Sequence, residues 1–180
     1  MENTTDLNHL KFPIGPFFKK DEYSSNELKV LIEEIERAPV AYKRLSEFFT
    51  EDNLSKTYRP GGWNVKQLIH HVADIQMLHF FRMKRAITEA DYTEVTLVDI
   101  DGWANTKDGL NAPVEDSLLM LEGITKRYIY LIRSLSEREL ALSYYHPVRA
   151  FDINQKQAIA MSAWHLSHHL AHVKLALNHI

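Results

Sequence analysis

Residues 64–88 read NVKQLIHHVADIQMLHFFRMKRAIT, and the fold is decided there. At ~100° per residue, Val65, Leu68, Val72, Ile75 and His79 fall on one stripe, so the segment is a helix with an apolar face. His71 lies at the edge of that stripe, flanked by Leu68, Ile75 and Leu78, and is expected to reach the interior. His70 points almost directly away and is expected in solvent. Asn64 supplies an N-cap with Gln67 at the capping-box position. The turn Pro60-Gly61-Gly62 precedes it.

Outward from this helix, three more segments carry start signals. Ser24 and Glu27 open a helix expected over Ser25–Phe49, with Pro39 predicting a kink or break. Pro113 sits in the first turn of a third, expected to Leu135. Asn154 and Gln157 open a fourth, over Gln155–Asn178. Four helices of 20-odd residues predict an all-α four-helix bundle, whose sites are built from side chains on facing helices. Residues 1–23 read as an extended arm broken by Pro13, Gly15 and Pro16. Residues 24–180 are expected to form a single domain. Glu89–Ala112 shows no clear periodicity, and a loop of that length is expected to be functional or a crossover. Leu142–Ile153 is a shorter connection.

Composition narrows the function. The chain has 180 residues, 45% of them hydrophobic, and a formal net charge of −3. A weakly acidic chain with no Lys/Arg cluster is a poor ligand for nucleic acid. No apolar run approaches the ~20 residues of a membrane span, and Met1–Asn8 has no signal-peptide core. The cytoplasm is the expected location. There is no cysteine, hence no disulfide and no thiolate of the chain's own. Gly61-Gly62 is a turn and not a phosphate loop.

Ten histidines stand out, five of them within the last sixteen residues. His165 and His169 are four apart, one turn apart on one helix face, and two imidazoles so spaced can grip one ion. His168 and His172 share that spacing, so spacing leaves two competing pairs. An inward His71 plus one pair makes three nitrogen ligands. Sites with three protein ligands leave a fourth position for water or substrate. A metal there would lower the pKa of water or of an incoming thiol. Asp74, one turn after His71, could orient an imidazole from behind, or pair with a surface cation. His79 and His146 read as core histidines, His9 and His179 as exposed. No H-E-x-x-H is present, so a metalloprotease would lack its base. Glu-x-x-His is absent too, which argues against a di-iron carboxylate bundle. Trp63, Trp103, Trp164 and Tyr144-Tyr145 are candidates for core or pocket lining.

Residues 58–74, YRPGGWNVKQLIHHVAD, resemble the first signature of the DinB/YfiT-like metal proteins. Residues 163–172, AWHLSHHLAH, resemble the second, and Tyr145-His146-Pro147 is similar as well. The likeness runs from about Phe12 to Val173. It implies a four-helix bundle with a long crossover between the second and third helices. It also implies one divalent metal held by three histidines, mapping onto His71, His165 and His169. His168 and His172 then become their neighbours. Members are commonly labelled metal-dependent hydrolases. Better-characterised relatives resemble bacillithiol S-transferases, and wider ones use mycothiol or glutathione. The implied chemistry is a metal that binds a low-molecular-weight thiol and presents it to an electrophile, or that activates water. A small-molecule substrate, zinc or nickel, and a homodimer are the matching expectations. Two readings compete with the enzyme. One is a non-catalytic metal-binding or stress-response protein whose open position is filled by His172, His168 or Asp74. The other is a helical scaffold whose histidines bind nothing.

Overall fold

The structure, a computed structural model, describes residues 7–178. The elements are α1 (Asn8–Lys11), α2 (Ser25–Ser46), α3 (Glu51–Ser55), α4 (Val65–Thr88), α5 (Ile100–Ala104), α6 (Lys107–Asn111), α7 (Val114–Ser134), α8 (Glu137–Leu140), β1 (Ser143–His146), β2 (Phe151–Asn154) and α9 (Gln155–Ala176). The long helices α2, α4, α7 and α9 make the bundle. Three begin where the sequence signals them. The Ser24/Glu27, Asn64/Gln67 and Asn154/Gln157 pairs all close reciprocal capping boxes, which satisfy backbone N–H groups left free at a helix start. The helix ends are shorter than expected: α2 stops at Ser46 and α9 at Ala176. Pro39 does not break α2. Ile35, Ala38, Tyr42 and Leu45 are buried around it, and packing of that face outweighs one missing N–H.

Contacts set the arrangement. α4 packs on α7 and α9, and α2 packs on the same two, so α2 and α4 stand diagonally. His70 meets Ser117 while Phe80 meets Tyr128, so α4 and α7 run parallel. His71 meets His165 while Gln76 meets Ser162, so α4 and α9 run antiparallel. Parallel neighbours need a connection as long as the helix itself. With 24 residues, α4 is about 36 Å long. Residues 89–113 cover that distance. Their Thr96 carbonyl accepts from Arg82 near one end of α4, and their Ala104 carbonyl accepts from Gln67 near the other. The expected long crossover is present, but it is not featureless. It contains α5 and α6, capped by Asp99 and Thr106.

The connection over 142–153 also holds structure that the sequence reading omitted. β1 and β2 pair antiparallel around the turn 147–150, where Ala150 takes a positive φ of 56°. The crossover pairs with this hairpin through Tyr145 N–H to Thr93 (2.8 Å) and Val95 N–H to Tyr145 (2.9 Å).

The segment before α2 lies along α9. It carries one helical turn, α1, and then runs extended. Gly15, at φ +82°, offers its carbonyl to the Trp164 indole at 3.1 Å. The Lys20 carbonyl accepts from Gln157 at 2.9 Å. The main core lies between the four long helices, where Ile35, Tyr42, Leu68, Val72, Tyr128, Ile159 and Val173 are wholly closed off. Burying a Val, Leu or Ile side chain stabilises by roughly 1.5–3 kcal/mol.

Candidate metal centre

The antiparallel pairing of α4 and α9 sets His71 opposite His165 and His169. All three are buried, and one ring nitrogen of each lies within 4.8 Å of the others. The Nε2 atoms of His71 and His165 face each other at 3.0 Å. The ring centroids are 4.7 Å apart for His71–His169 and 4.5 Å for His165–His169. The Trp63 ring, held just before α4, covers His71 at 4.6 Å. Burial lowers the His71 pKa to about 3 and pushes His165 and His169 well down too, helped by neighbouring histidines. These imidazoles are therefore neutral at pH 7, the form that offers a lone pair to a metal.

A second trio, His168, His169 and His172, also converges within 4.8 Å. It shares His169, and a neutral imidazole has one lone pair, so His169 can serve only one trio at a time. Hydrogen bonding favours the first. His172 Nε2 lies 3.1 Å from the Leu10 carbonyl and 3.2 Å from that of Lys11. Carbonyls only accept, so Nε2 carries the proton and His172 Nδ1 carries the lone pair. His172 Nδ1 faces His169 Nδ1 at 3.3 Å. His169 Nδ1–H therefore donates, which leaves His169 Nε2 to bind in the first trio. The extended segment thus acts on the site through two rings. His168 instead stacks on Trp164 at 4.4 Å.

Other residues sit differently from the sequence reading. His70 is not in solvent. It is buried, with Ser117 Oγ at 2.7 Å and the Ala112 carbonyl at 3.2 Å. α4 is enclosed on both sides, so the face opposite the site meets α7. Asp74 is partly buried, and burial together with nearby Asp108 raises its pKa to about 6. None of the hydrogen bonds among the described histidines involves it. His9 is exposed, and His179 falls outside the described residues. Trp63 and Trp164 line the site, whereas Tyr144 packs into a small core with Tyr92 and Ile153.

A cavity of about 660 Å³ opens over the first trio. Its lining includes His79, His146, Arg82 and Arg149, and among the described residues no Asp or Glu. His79 and His146 are buried as expected, yet both face this cavity. Neither arginine is assigned to the site by the sequence reading, which takes the basic run 82–85 as a solvated helix face, whereas Arg82 is buried. They lie on α4 and in the hairpin turn, far apart along the chain, and no local pattern links them.

This is a helical bundle with a buried three-histidine cluster open to a cavity. A model of the DinB superfamily matches residues 34–173, and the chain belongs to that family. A protein of Oceanobacillus iheyensis named "Putative metal-dependent hydrolase OB0413" is 36% identical over 94% of this chain and 96% of its own length. YfiT of Bacillus subtilis, which bears the same functional name, is 31% identical over 94% of both chains. The solved structure of YfiT, described as a "probable metal-dependent hydrolase with an unusual four-helix bundle topology", superposes with a TM-score of 0.89, covering 94% of this chain and 97% of that one. A mycothiol-dependent maleylpyruvate isomerase shares the fold at a TM-score of 0.63 and 14% identity, over 84% of this chain and 67% of its own.

Proposed function

We propose that this chain is a metal-dependent enzyme acting on a small molecule, with His71, His165 and His169 holding one divalent ion. The observation that carries this is the convergence of three neutral, buried imidazoles on a cavity wall. The donor set fits zinc or nickel, which imidazole suits. Bound there, such an ion supplies Lewis-acid chemistry and lowers the pKa of a bound thiol or water.

The chain's own residues supply the rest. His172 and the Leu10 and Lys11 carbonyls orient His169. Trp63 and Trp164 keep bulk water off the rings. His146, lowered to about 4 by burial and by Arg149 and Arg82, is neutral at pH 7 and able to accept a hydrogen bond from a group in the cavity. Among the described residues no carboxylate lines the cavity to serve as a base for water, which favours a low-molecular-weight thiol as the nucleophile over hydrolysis. An open fourth position is supported by His172, whose ring nitrogens are both engaged elsewhere.

Untagged protein analysed by elemental mass spectrometry should contain about one metal per chain, and His169→Ala should contain none. Loss of an electrophile such as monochlorobimane should then require added thiol. Equal turnover without thiol would leave the hydrolase form of the proposal. Absence of metal from wild type, even after incubation with zinc or nickel, would end it.

A further inference from the structure

Arg82 is 8% exposed and has no carboxylate partner among the described residues. Its Nε and Nη2 both donate to the Thr96 carbonyl, at 3.0 and 2.7 Å, and no hydrogen bond engages Nη1. Burial first, and then the Arg149 cation, lower its pKa, and the phenolic hydroxyls of Tyr144 and Tyr92 stand near it. Arg149 stands at the cavity mouth on the turn after β1. It is open to solvent by area, yet its guanidinium is closed in enough that desolvation lowers its pKa. It hangs over the Phe17 ring at 5.8 Å and has no side-chain hydrogen bond or ion pair. Both arginines line the cavity of the histidine trio, where no acid among the described residues answers them.

A buried cation without a counter-charge costs several kcal/mol unless something repays it. Elsewhere in this chain arginines find carboxylates: Arg133 pairs with Glu36, Arg37 with Glu33 and Arg85 with Glu89. Arg44, Arg59, Arg127 and Arg138 have no carboxylate ion pair among the described residues either, but of the arginines only Arg82 and Arg149 line this cavity. The remaining walls are largely apolar, including Phe12, Phe17, Ile75, Leu78 and Met161. We propose that the cavity binds a small molecule with an apolar body and an anionic group, carboxylate or phosphate, and that Arg82 and Arg149 hold the anion. A guanidinium presents paired N–H donors that match either group. This inference rests on reading the cavity as the substrate site.

The test compares 4-phenylbutyrate with the neutral 4-phenylbutyramide, and phenyl phosphate with phenol, by calorimetry on full-length protein near neutral pH. Each pair is measured on metal-loaded and on chelator-stripped protein. An anion is expected to bind at least about tenfold more tightly than its neutral partner in both forms. The stronger anion identifies the group. Arg149→Gln should abolish most of that preference while leaving the neutral probe unchanged, and Arg149→Lys should keep part of it. Arg82→Lys, checked for native helicity, should also weaken it. Equal affinity, or no binding of any probe, overturns the inference. So does a preference seen only with metal present and surviving in Arg149→Gln, because the anion then sits on the metal. Wild type that takes up no metal at all yet still prefers the anion would end the proposed metal chemistry and leave this site standing.

Discussion

At the residue scale, the site is a set of histidines doing different jobs in one crowded volume. His172 is not part of the first trio, yet it determines which nitrogen of His169 is free. Replacing His172 with Ala should lower metal affinity by about 10–100-fold, read by competition with a chromophoric chelator. His146 sets a pH dependence. Its folded pKa is depressed to about 4 from an ordinary value near 6.5, by burial first and then by Arg149 and Arg82. Between those values the unfolded chain takes up a proton that the folded chain refuses. Its contribution is thus fully present above about 6.5 and is lost as pH falls toward 4. Urea midpoints measured across that window should fall less steeply in His146→Gln than in wild type. The inward turn of His71 was legible, because its neighbours Leu68, Ile75 and Leu78 are apolar. The choice between His165/His169 and His168/His172 was not legible from spacing. It depends on carbonyls more than 150 residues away in sequence. His70 misled because a helix packed on two sides has no solvent face opposite its core stripe.

At the element scale, the long helices were legible and the short elements were not. Three capping boxes announce α2, α4 and α9, and a 3.6-residue apolar rhythm marks α4. The β1–β2 hairpin spans four residues a strand, too few for alternation to be read, and α5 and α6 are single turns hidden in polar sequence. Long-range bonds then fix how the elements meet. The Tyr42 hydroxyl donates to the Leu166 carbonyl at 2.7 Å, a buried tie from α2 to the turn of α9 between His165 and His169. Tyr42→Phe should cost about 1–2 kcal/mol in chemical denaturation, since it leaves that carbonyl without its side-chain donor. The same variant should bind metal more weakly if α9 shifts, a second effect that the chelator assay would read.

At the scale of the whole molecule, the parallel α4–α7 pair dictates the long crossover, and the crossover closes one wall of the cavity with Leu97, Val98 and Ile100. The bundle class was legible from four helices. The order around the bundle was not, because nothing in helix periodicity says which neighbour runs parallel. A metal held at the trio, as proposed, would join α4 to α9 and have no such site in the unfolded chain. Stripping it should therefore lower stability by about 2.7 kcal/mol at metal concentrations of 100 Kd, visible as a drop in Tm that added metal reverses.

The segment that carries Leu10, Lys11 and Gly15 lies against Trp164, His168 and His172. This segment therefore completes its contacts only after a helix about 150 residues further along has been made. At about 5–20 residues per second, its apolar side chains wait on the order of ten seconds or more for their docking helix. During that interval Phe12 and Phe17 have nowhere native to go, and nascent chains are at their most exposed to chaperones and proteases.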